Sequence, residues 1–244
     1  MSVIDKILKF KNPHRPFCSA VILAAGSSNR MGADKIMMTI GEKPVIAYSL
    51  LAFEECEAID EIVVVTKLNR LQEISDVCHE YGISKVSKVV CGGNTRAESA
   101  LSGVSQVNEK ADIIAIHDGA RPFAGAELIT KTVQEAKNSL ASAPAVKPVD
   151  TVRLLNKKGG VASTPDRELV ALIQTPQAFN ADLIKGALTK AVEKNLPITD
   201  DCSAVEAMGV KVSLVEGDPD NIKLTTSRDI YLAEKISADR SVKK

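Results

Sequence analysis

In this chain of 244 residues, the residues that could support chemistry, judged by their type and their spacing, lie in loops that follow predicted β-strands. The first loop runs from Ala24 to Lys35 and combines small residues with two cations, Arg30 and Lys35. Small residues let backbone N–H groups approach phosphate oxygens, and the cations neutralise the negative charge. The loop lacks the Gly-Lys-Ser/Thr ending of a P-loop, and Ser28 and Met31 stand where a dinucleotide fingerprint requires glycine. It therefore indicates a phosphate site of another kind.

Two later loops add carboxylates and a third cation. The run from His117 to Arg121 follows a predicted strand and contains Asp118, which is well placed to hold a divalent metal against phosphate oxygens. Asp220 and Lys223 lie in a loop near the carboxyl terminus and offer a second carboxylate and a further cation. Each loop alone is also explained as an ordinary turn, and His117 is interpreted as structural. Together the loops favour phosphoryl or nucleotidyl transfer, in which a protein positions reactants and neutralises charge.

A glycine pair at residues 92–93 opens the loop after the third predicted strand. Such a pair lets the backbone pass close to a ligand. Thr95 and Glu98 have the spacing of a capping box, which begins a helix at this point. From these residues alone, the capping interpretation is favoured over a ligand site.

The elements that must position these loops alternate regularly along the first part of the chain. The predicted strands are residues 20–23, 61–66, 88–91 and 112–117, and the predicted helices are residues 45–54, 71–81, 95–107 and 127–137. This alternation predicts βαβ units and an α/β fold with a mostly parallel sheet and helices on both faces. Ligands bind such sheets at the carboxyl ends of the strands, which is where the loops described above begin.

The alternation ends after Pro148. Residues 151–156 and 161–164 flank the sequence Lys-Lys-Gly-Gly, which predicts a β-hairpin within an arm at about residues 148–172. A two-stranded ribbon is marginally stable in water, so we expect the arm to pack on its own domain or on another subunit. Further patterns predict an apolar segment at 169–173, a strand at 212–215 and helices at 182–193, 200–208 and 227–235.

Composition excludes several classes of protein. Lys and Arg total 31 and Asp and Glu total 31, so the formal net charge is zero, and 45% of the residues are hydrophobic. These values are typical of a globular protein and not of a disordered chain. A nucleic-acid binder is disfavoured because such proteins carry a basic excess, and aromatic residues make up only 3% of the chain.

We expect one domain over residues 18–237, with an N-terminal extension at 1–17 and a short tail at 238–244. Residues 1–11 have the pattern of a short amphipathic helix rather than a signal peptide, and no apolar stretch is long enough to span a membrane. The five cysteines are scattered without paired spacing, which is typical of a reducing compartment. We therefore expect a cytoplasmic protein that uses neither membrane nor nucleic acid as a partner.

The loop from Ala24 to Lys35 resembles the signature loop of nucleotidyltransferases that act on sugar phosphates. With the later motifs, the chain resembles the methylerythritol-phosphate cytidylyltransferase family over about residues 19–235. These motifs are Gly92-Gly93, His117-Asp-Gly-Ala-Arg-Pro122, Asp150-Thr151, Asp166-Arg167, Thr175-Pro-Gln177, Thr199-Asp200 and Asp220-Asn-Ile-Lys223. The resemblance implies a Rossmann-like enzyme of the non-mevalonate isoprenoid pathway. With Mg²⁺ it would join CTP and 2-C-methyl-D-erythritol 4-phosphate to give 4-diphosphocytidyl-2-C-methyl-D-erythritol and pyrophosphate.

The resemblance also implies a role for individual residues. The catalytic cations would be Arg30, Lys35 and Lys223. The nucleotide would be bound by Ala24, Ala25, Gly26, Gly93, Asn94, Ser99, Asp118 and Arg121. The sugar phosphate would be bound by Thr151, Arg167, Thr175 and Thr199, and the metal would lie near Asp118 and Asp220. The arm would reach across a homodimer to the partner's substrate site.

The sequence departs from the family pattern in two places, the loop before Lys35 and the first 17 or so residues, which precede the family's usual start. The segment between Met31 and Lys35 is short, and Asp34 and Ile36 replace the Pro and Gln that usually flank the lysine. Three alternatives to this interpretation also stay open. A ribitol-5-phosphate cytidylyltransferase would share the same loops. A catalytically silent CTP-binding protein and a nucleotide-dependent oxidoreductase are the alternatives from other classes, although the missing dinucleotide glycines count against the latter.

Overall fold

Apolar runs of Val, Ile and Ala form the centre of an eight-stranded mixed sheet in the computed structural model, which describes residues 15–26 and 35–242. Every residue of the strands Glu61–Thr66 and Ile113–Asp118 is buried, as expected for strands covered on both faces. Arg30, with Ser28 and Met31, lies outside the described residues, and so does the helix predicted for residues 1–11.

The bounds of the elements are as follows. The strands are β1 (Cys18–Leu23), β2 (Thr39–Ile40), β3 (Lys43–Pro44), β4 (Glu61–Thr66), β5 (Val86–Cys91), β6 (Ile113–Asp118), β7 (Ala141–Val146), β8 (Leu154–Leu155), β9 (Val161–Ser163), β10 (Leu172–Ile173), β11 (Gln177–Asn180) and β12 (Ser213–Glu216). The helices are α1 (Val45–Glu54), α2 (Leu71–Glu80), α3 (Arg96–Val104), α4 (Ala126–Ser139), α5 (Ala181–Glu193), α6 (Asp201–Glu206) and α7 (Arg228–Val242).

The order of the strands places a ligand crevice at the ends of β1 and β6. Across the sheet the order is β12-β7-β11-β6-β1-β4-β5, and β10 also pairs with β7. The chain passes from β1 to β4 and β5 on one side, and then returns to β6 on the other side of β1, with all these pairs parallel. Ligands of open α/β sheets bind where the order reverses in this way.

Helices cover both faces of the sheet, so the predicted fold class is confirmed. Helices α1, α2 and α4 pack on one face through residues such as Phe53, Ile74 and Ile129. Helices α3, α5 and α6 pack on the other face through residues such as Val104 and Leu188. Within residues 15–26 and 35–242, the helices lack the combination of length and apolar character that crossing a bilayer requires.

Two strands of the eight-stranded sheet, β7 and β11, were not predicted, and both lie in its antiparallel part; the short separate pair β2 and β3 was also not predicted. Strand β7 contains Pro144, which argues against a strand because proline gives no N–H to the ladder. Here its carbonyl still accepts a hydrogen bond from the N–H of Gln174 at 2.8 Å. Strand β11 has only four residues and is antiparallel to both β6 and β7.

The arm is an antiparallel hairpin, but its strands are shorter than predicted. Strands β8 and β9 are joined by a turn in which Gly159 has a φ of +83°, and the N–H of Asn156 donates to the carbonyl of Gly160 at 2.8 Å. Large apolar side chains stay exposed along the arm, at Val149, Leu154, Leu155, Val161 and Leu169. The last helix is longer than the predicted 227–235, because α7 continues to Val242.

Candidate functional site

A cavity of about 330 Å³ opens at the carboxyl ends of β1 and β6, where the strand order reverses. Several residues predicted for the site line it: Ala24, Ala25, Gly26, Lys35, Gly93, Asn94, Ser99, Asp118 and Lys223. These residues come from four separate loops of the chain. The strand order therefore brings together the phosphate-type loop, the glycine pair, a carboxylate and two lysines.

The glycine pair allows two of these loops to meet. A Cβ atom on Gly92 would lie 2.7 Å from the Cβ of Ala25 and 2.7 Å from the Oγ of Ser99, closer than such atoms can approach. The capping box is also present, because the hydroxyl of Thr95 accepts the N–H of Glu98 at 3.1 Å and the Glu98 carboxylate accepts the N–H of Thr95. The capping interpretation is confirmed, and the same segment lines the cavity.

Asp118 is the electrostatic centre of the site. Its carboxylate lies 2.6 Å from the Nζ of Lys223 and 3.5 Å from a guanidinium nitrogen of Arg96. Burial by itself would raise the pKa of this carboxyl, but the two cations outweigh burial and hold the pKa at about 2. Asp118 is therefore ionised at neutral pH and keeps Lys223 and Arg96 at the mouth of the cavity.

Arg96 is a site residue that sequence reasoning missed. It forms a two-pronged ion pair with the fully buried Asp201, with N···O distances of 2.8 and 2.7 Å. Burial raises the pKa of Asp201, and the charge of Arg96 offsets part of that rise. A signal was present in the sequence, because Arg96 is the first residue of α3 and a cation there opposes the helix dipole. Such a cation requires an acidic partner, and here Asp201 and Asp118 supply it.

His117 and Thr175 are buried next to Asp118 and do not line the cavity. Burial lowers the pKa of His117 to about 4, so its ring is neutral at physiological pH. Its two ring nitrogens face the Thr175 hydroxyl at 3.1 Å and the Arg121 carbonyl at 3.0 Å. The partners of His117 are thus all protein groups, in agreement with its interpretation as structural.

The neutral state of His117 predicts how stability changes with pH. The pKa of His117 is about 4 in the folded chain and about 6.5 in the unfolded chain, so between these values only the unfolded chain takes up the proton. The free energy of unfolding should therefore fall by about 2 kcal/mol as pH is lowered from 7 to 5. Denaturant titrations across this range measure it, and the variant His117→Gln should show a flatter profile. An unsubstituted chain with equal stability at pH 7 and pH 5 would contradict a buried neutral ring.

Several predicted residues do not line the cavity. A guanidinium nitrogen of Arg121 donates to the carbonyl of Asn221 at 2.8 Å, and burial lowers the pKa of Arg121. Asp220 is exposed, and its N–H donates to the Asp218 carboxylate at 2.8 Å. Thr151, Arg167 and Thr199 are exposed, the first two of them on the arm.

A magnesium ion fits the donor chemistry of the cavity. Among residues 15–26 and 35–242 no three His, Cys, Asp or Glu side chains are grouped closely enough to hold a metal. Asp118 nevertheless faces the cavity with a carboxylate, the hard oxygen ligand that Mg²⁺ prefers. Mg²⁺ commonly uses one or two carboxylates and completes its shell with water and substrate phosphates. The site therefore suits a metal that arrives with a polyphosphate better than a metal in a protein cage.

Comparison with known proteins assigns the chain to a family. Residues 18–239 match the family model described as 2-C-methyl-D-erythritol 4-phosphate cytidylyltransferase (IspD). A curated protein of that name from Caldanaerobacter subterraneus subsp. tengcongensis is 42% identical over 219 residues, which are 88% of this chain and 96% of that protein. Another of that name from Clostridium tetani is 40% identical over 218 residues, 88% of each chain.

Solved structures show the same likeness. The 4-diphosphocytidyl-2C-methyl-D-erythritol synthase of Anaerococcus prevotii superposes with a TM-score of 0.83 at 32% identity, covering 91% of this chain and 96% of that one. The 2-C-methyl-D-erythritol 4-phosphate cytidylyltransferase of Thermus thermophilus gives a TM-score of 0.73 at 26% identity, covering 89% of this chain and 98% of that one.

Proposed function

Because the chain belongs to the 2-C-methyl-D-erythritol 4-phosphate cytidylyltransferase family, we propose that the cavity at β1 and β6 is its active site. The chain is a CTP-dependent nucleotidyltransferase of isoprenoid precursor synthesis, which joins CTP and 2-C-methyl-D-erythritol 4-phosphate and releases pyrophosphate. The observation that carries the assignment of the site is the meeting of Lys35, Lys223, Arg96 and Asp118 in one cavity at the reversal of the strand order.

The reaction needs charge neutralisation more than proton transfer. The attacking group is a phosphate oxygen of the sugar alcohol, which is already anionic at neutral pH, so a general base is unnecessary. The attack brings two anions together at the α-phosphorus of CTP. Lys35 and Lys223 would stabilise the added charge of the pentacoordinate transition state more strongly than the ground state. Arg30 would add a third cation from the same loop as Lys35.

The small residues of the cavity suit the nucleoside part of CTP. The Ala24–Gly26 segment, Gly93 and Asn94 would contact the cytidine and its ribose, together with Ser99. The N–H of Gly93 already donates to the Oγ of Ser99 at 3.2 Å and that of Asn94 to the Glu98 carboxylate at 2.6 Å, so these two residues would make their contacts through other atoms. The close packing of Gly92 against Ala25 and Ser99 supports this placement, because it holds the two walls at a fixed separation.

Asp118 would contribute a carboxylate to bound Mg²⁺, and the metal when bound supplies further neutralisation of the triphosphate. Asp118 also orients Lys223 through their 2.6 Å ion pair. Asp220 lies on the loop that carries Lys223, and we place it near the metal without a cavity contact. Arg121 would act near the nucleotide. In the structure its guanidinium donates a hydrogen bond to the carbonyl of Asn221.

The arm would complete the site of a second subunit in a homodimer. Its exposed apolar side chains support this proposal, since a ribbon with Leu154, Leu155 and Leu169 in water is expected to be covered. Thr151 and Arg167 on the arm, with Thr175 and Thr199, would form the sugar-phosphate pocket. Sedimentation of the intact chain should show a dimer, and Leu154→Asp combined with Leu155→Asp should shift it to a monomer.

Replacing Arg167 by alanine should raise the KM for the sugar phosphate by about tenfold to a hundredfold, because a charge-assisted phosphate contact is lost. The KM for CTP should stay unchanged, since the cavity residues are intact. Initial rates with each substrate varied in turn measure both constants. The matched control is Arg153→Ala, an arginine on the same arm whose guanidinium contacts Thr164. A rise in the KM for CTP alone would contradict the role of Arg167.

A cytoplasmic location is also proposed. All five cysteines are free thiols in the structure, and four of them are buried. Free buried thiols are typical of proteins that fold in a reducing compartment. Labelling of thiols in the purified, unreduced protein should recover five per chain after denaturation.

The choice of sugar alcohol is tested by competition. Ribitol 5-phosphate and 2-C-methyl-D-erythritol 4-phosphate are supplied together with CTP and Mg²⁺, and the two products are separated by mass. The ratio of products equals the ratio of kcat/KM values when the substrates are equimolar. A large excess of the methylerythritol product is expected, whereas a ribitol product in excess would support the alternative enzyme.

A further inference from the structure

A chain of hydrogen bonds links the buried imidazole of His117 to the backbone of Asp118. The N–H of Asp118 lies 3.1 Å from the hydroxyl oxygen of Thr175, and that oxygen lies 3.1 Å from the Nδ1 of His117. The Nε2 of the same ring lies 3.0 Å from the carbonyl oxygen of Arg121. Thr175 is thus the only group between the imidazole and the backbone of the catalytic-site aspartate along this chain of contacts.

The chemistry of the four groups fixes the direction of every bond in the chain. A carbonyl only accepts, so the Nε2 of His117 must carry the hydrogen that goes to Arg121. A backbone N–H only donates, so the Thr175 oxygen accepts from Asp118. The single hydroxyl hydrogen of Thr175 then points to Nδ1, which is an acceptor in a neutral imidazole protonated at Nε2.

The surroundings hold the two middle groups of the chain, His117 and Thr175, in place. The His117 ring is fully buried, and its centroid lies 4.9 Å from that of Phe53. The carbonyl of Thr175 accepts a hydrogen bond from the side-chain amide of Asn221 at 2.9 Å, in the loop that carries Lys223. The hydroxyl of Thr175 therefore contacts the Asp118 loop, and its carbonyl contacts the Lys223 loop.

We propose that Thr175 and His117 are positioning residues for the nucleotidyl transfer, which set the backbone of Asp118 and thereby aim its carboxylate at Lys223 and Arg96. This inference rests on the proposed function of the cavity. In this arrangement the hydroxyl of Thr175 donates its hydrogen to His117 and therefore cannot donate it to the sugar alcohol. Any contact of Thr175 with substrate would then be made by other atoms of the residue.

A pair of substitutions at Thr175 tests the proposal by kinetics. Thr175→Val keeps the shape and removes the hydroxyl, and it should lower kcat by about 30-fold, because a buried N–H and a ring nitrogen lose their partner. Thr175→Ser keeps the hydroxyl and should stay within about threefold of the unsubstituted enzyme. Rates are divided by the concentration of folded protein, so a purely structural role would lower stability and leave kcat unchanged.

A double-mutant cycle with Asp118→Asn separates positioning from an independent effect. If Thr175 acts through Asp118, Thr175→Val should lower the residual rate of the Asp118→Asn enzyme by less than about threefold. A full 30-fold further loss in that background would contradict action through Asp118.

A spectroscopic readout tests the hydrogen-bond directions without any turnover. The chain has only three histidines, so ¹⁵N–¹H correlation of the imidazoles is readily assigned, with His79→Asn as a control at an exposed position of α2. At pH 7 His117 should be neutral with its hydrogen on Nε2, and its Nδ1 resonance should move in Thr175→Val and stay in Thr175→Ser. A ring protonated at Nδ1 would overturn the proposal.

Different results would contradict the proposed function and the positioning role of Thr175. An unsubstituted protein that releases no pyrophosphate contradicts the proposed function. A protein with normal turnover whose Thr175→Val variant keeps its kcat contradicts the positioning role alone.

Discussion

Replacing Lys35 by alanine should lower kcat by about a hundredfold or more, the effect expected when one contact to a developing negative charge is removed. Lys35 lines the cavity, as do Gly93 and Lys223, and the proposed function puts the triphosphate of CTP beside its ammonium group. Its ammonium would stabilise the charge that develops at the α-phosphorus, a contribution that grows in the transition state. The effect should therefore fall on kcat more than on the KM for CTP. Single-turnover rates with saturating CTP measure it directly.

The control for Lys35 is Lys131→Ala. Lys131 is exposed on α4 and pairs with Glu127 at 2.6 Å, away from the cavity. Its loss should leave kcat within about twofold, because Lys131 does not line the cavity. The stability of the protein should also change little, since exposed ion pairs contribute little to it. Lys35→Arg keeps the positive charge and should retain more activity than Lys35→Ala. A Lys35→Ala enzyme with nearly normal kcat would exclude Lys35 from the transition state.

Replacing Asp118 by asparagine should lower kcat by about two orders of magnitude while the KM for CTP does not rise. Asparagine keeps the size of the side chain, but it removes the charge that holds Lys223 at 2.6 Å and Arg96 at 3.5 Å. It also removes the carboxylate proposed for the metal. The two cations, freed of their counter-charge, should bind the ground-state triphosphate at least as tightly as before, but in a less productive arrangement.

The matched control for Asp118 is Asp239→Asn, a change at an exposed carboxylate of α7 that pairs with Lys235 at 2.7 Å. It should leave both kinetic constants unchanged. Titration with Mg²⁺ adds a second measure, because the Asp118→Asn enzyme should need more metal for half-maximal rate. A variant with normal kcat and only a raised KM would show that Asp118 binds substrate without taking part in the chemical step.

Much of the parallel sheet could be predicted from the sequence, because its strands are continuous apolar runs. The run of three valines in β4 and the isoleucines of β6 are buried on both faces, and such runs stand out from the helices between them. The antiparallel part could not be predicted in this way. Strand β7 is rich in Ala, and β11 has four residues, so both are stabilised by their neighbours β6 and β12 more than by local preference.

The same distinction applies to the site. Residues in loops after strands, such as Lys35 and Asp118, could be predicted because the carboxyl ends of parallel strands meet at one edge. The ion pair of Arg96 with Asp201 could not, because the two residues lie 105 positions apart and only the fold brings them together. The contact of Thr175 with His117 is hidden for the same reason, since it joins β6 to the segment before β11, 58 positions further along the chain.

The most direct test of the proposed active site is the release of pyrophosphate by the purified chain with Mg²⁺, 2-C-methyl-D-erythritol 4-phosphate and each nucleoside triphosphate in turn. CTP alone among the four should give pyrophosphate, in an amount equal to the cytidyl product, and Lys35→Ala should reduce the rate by about a hundredfold. A chain that binds CTP without releasing pyrophosphate, or that keeps its full rate without Lys35, would contradict the assignment of this cavity as the site of nucleotidyl transfer.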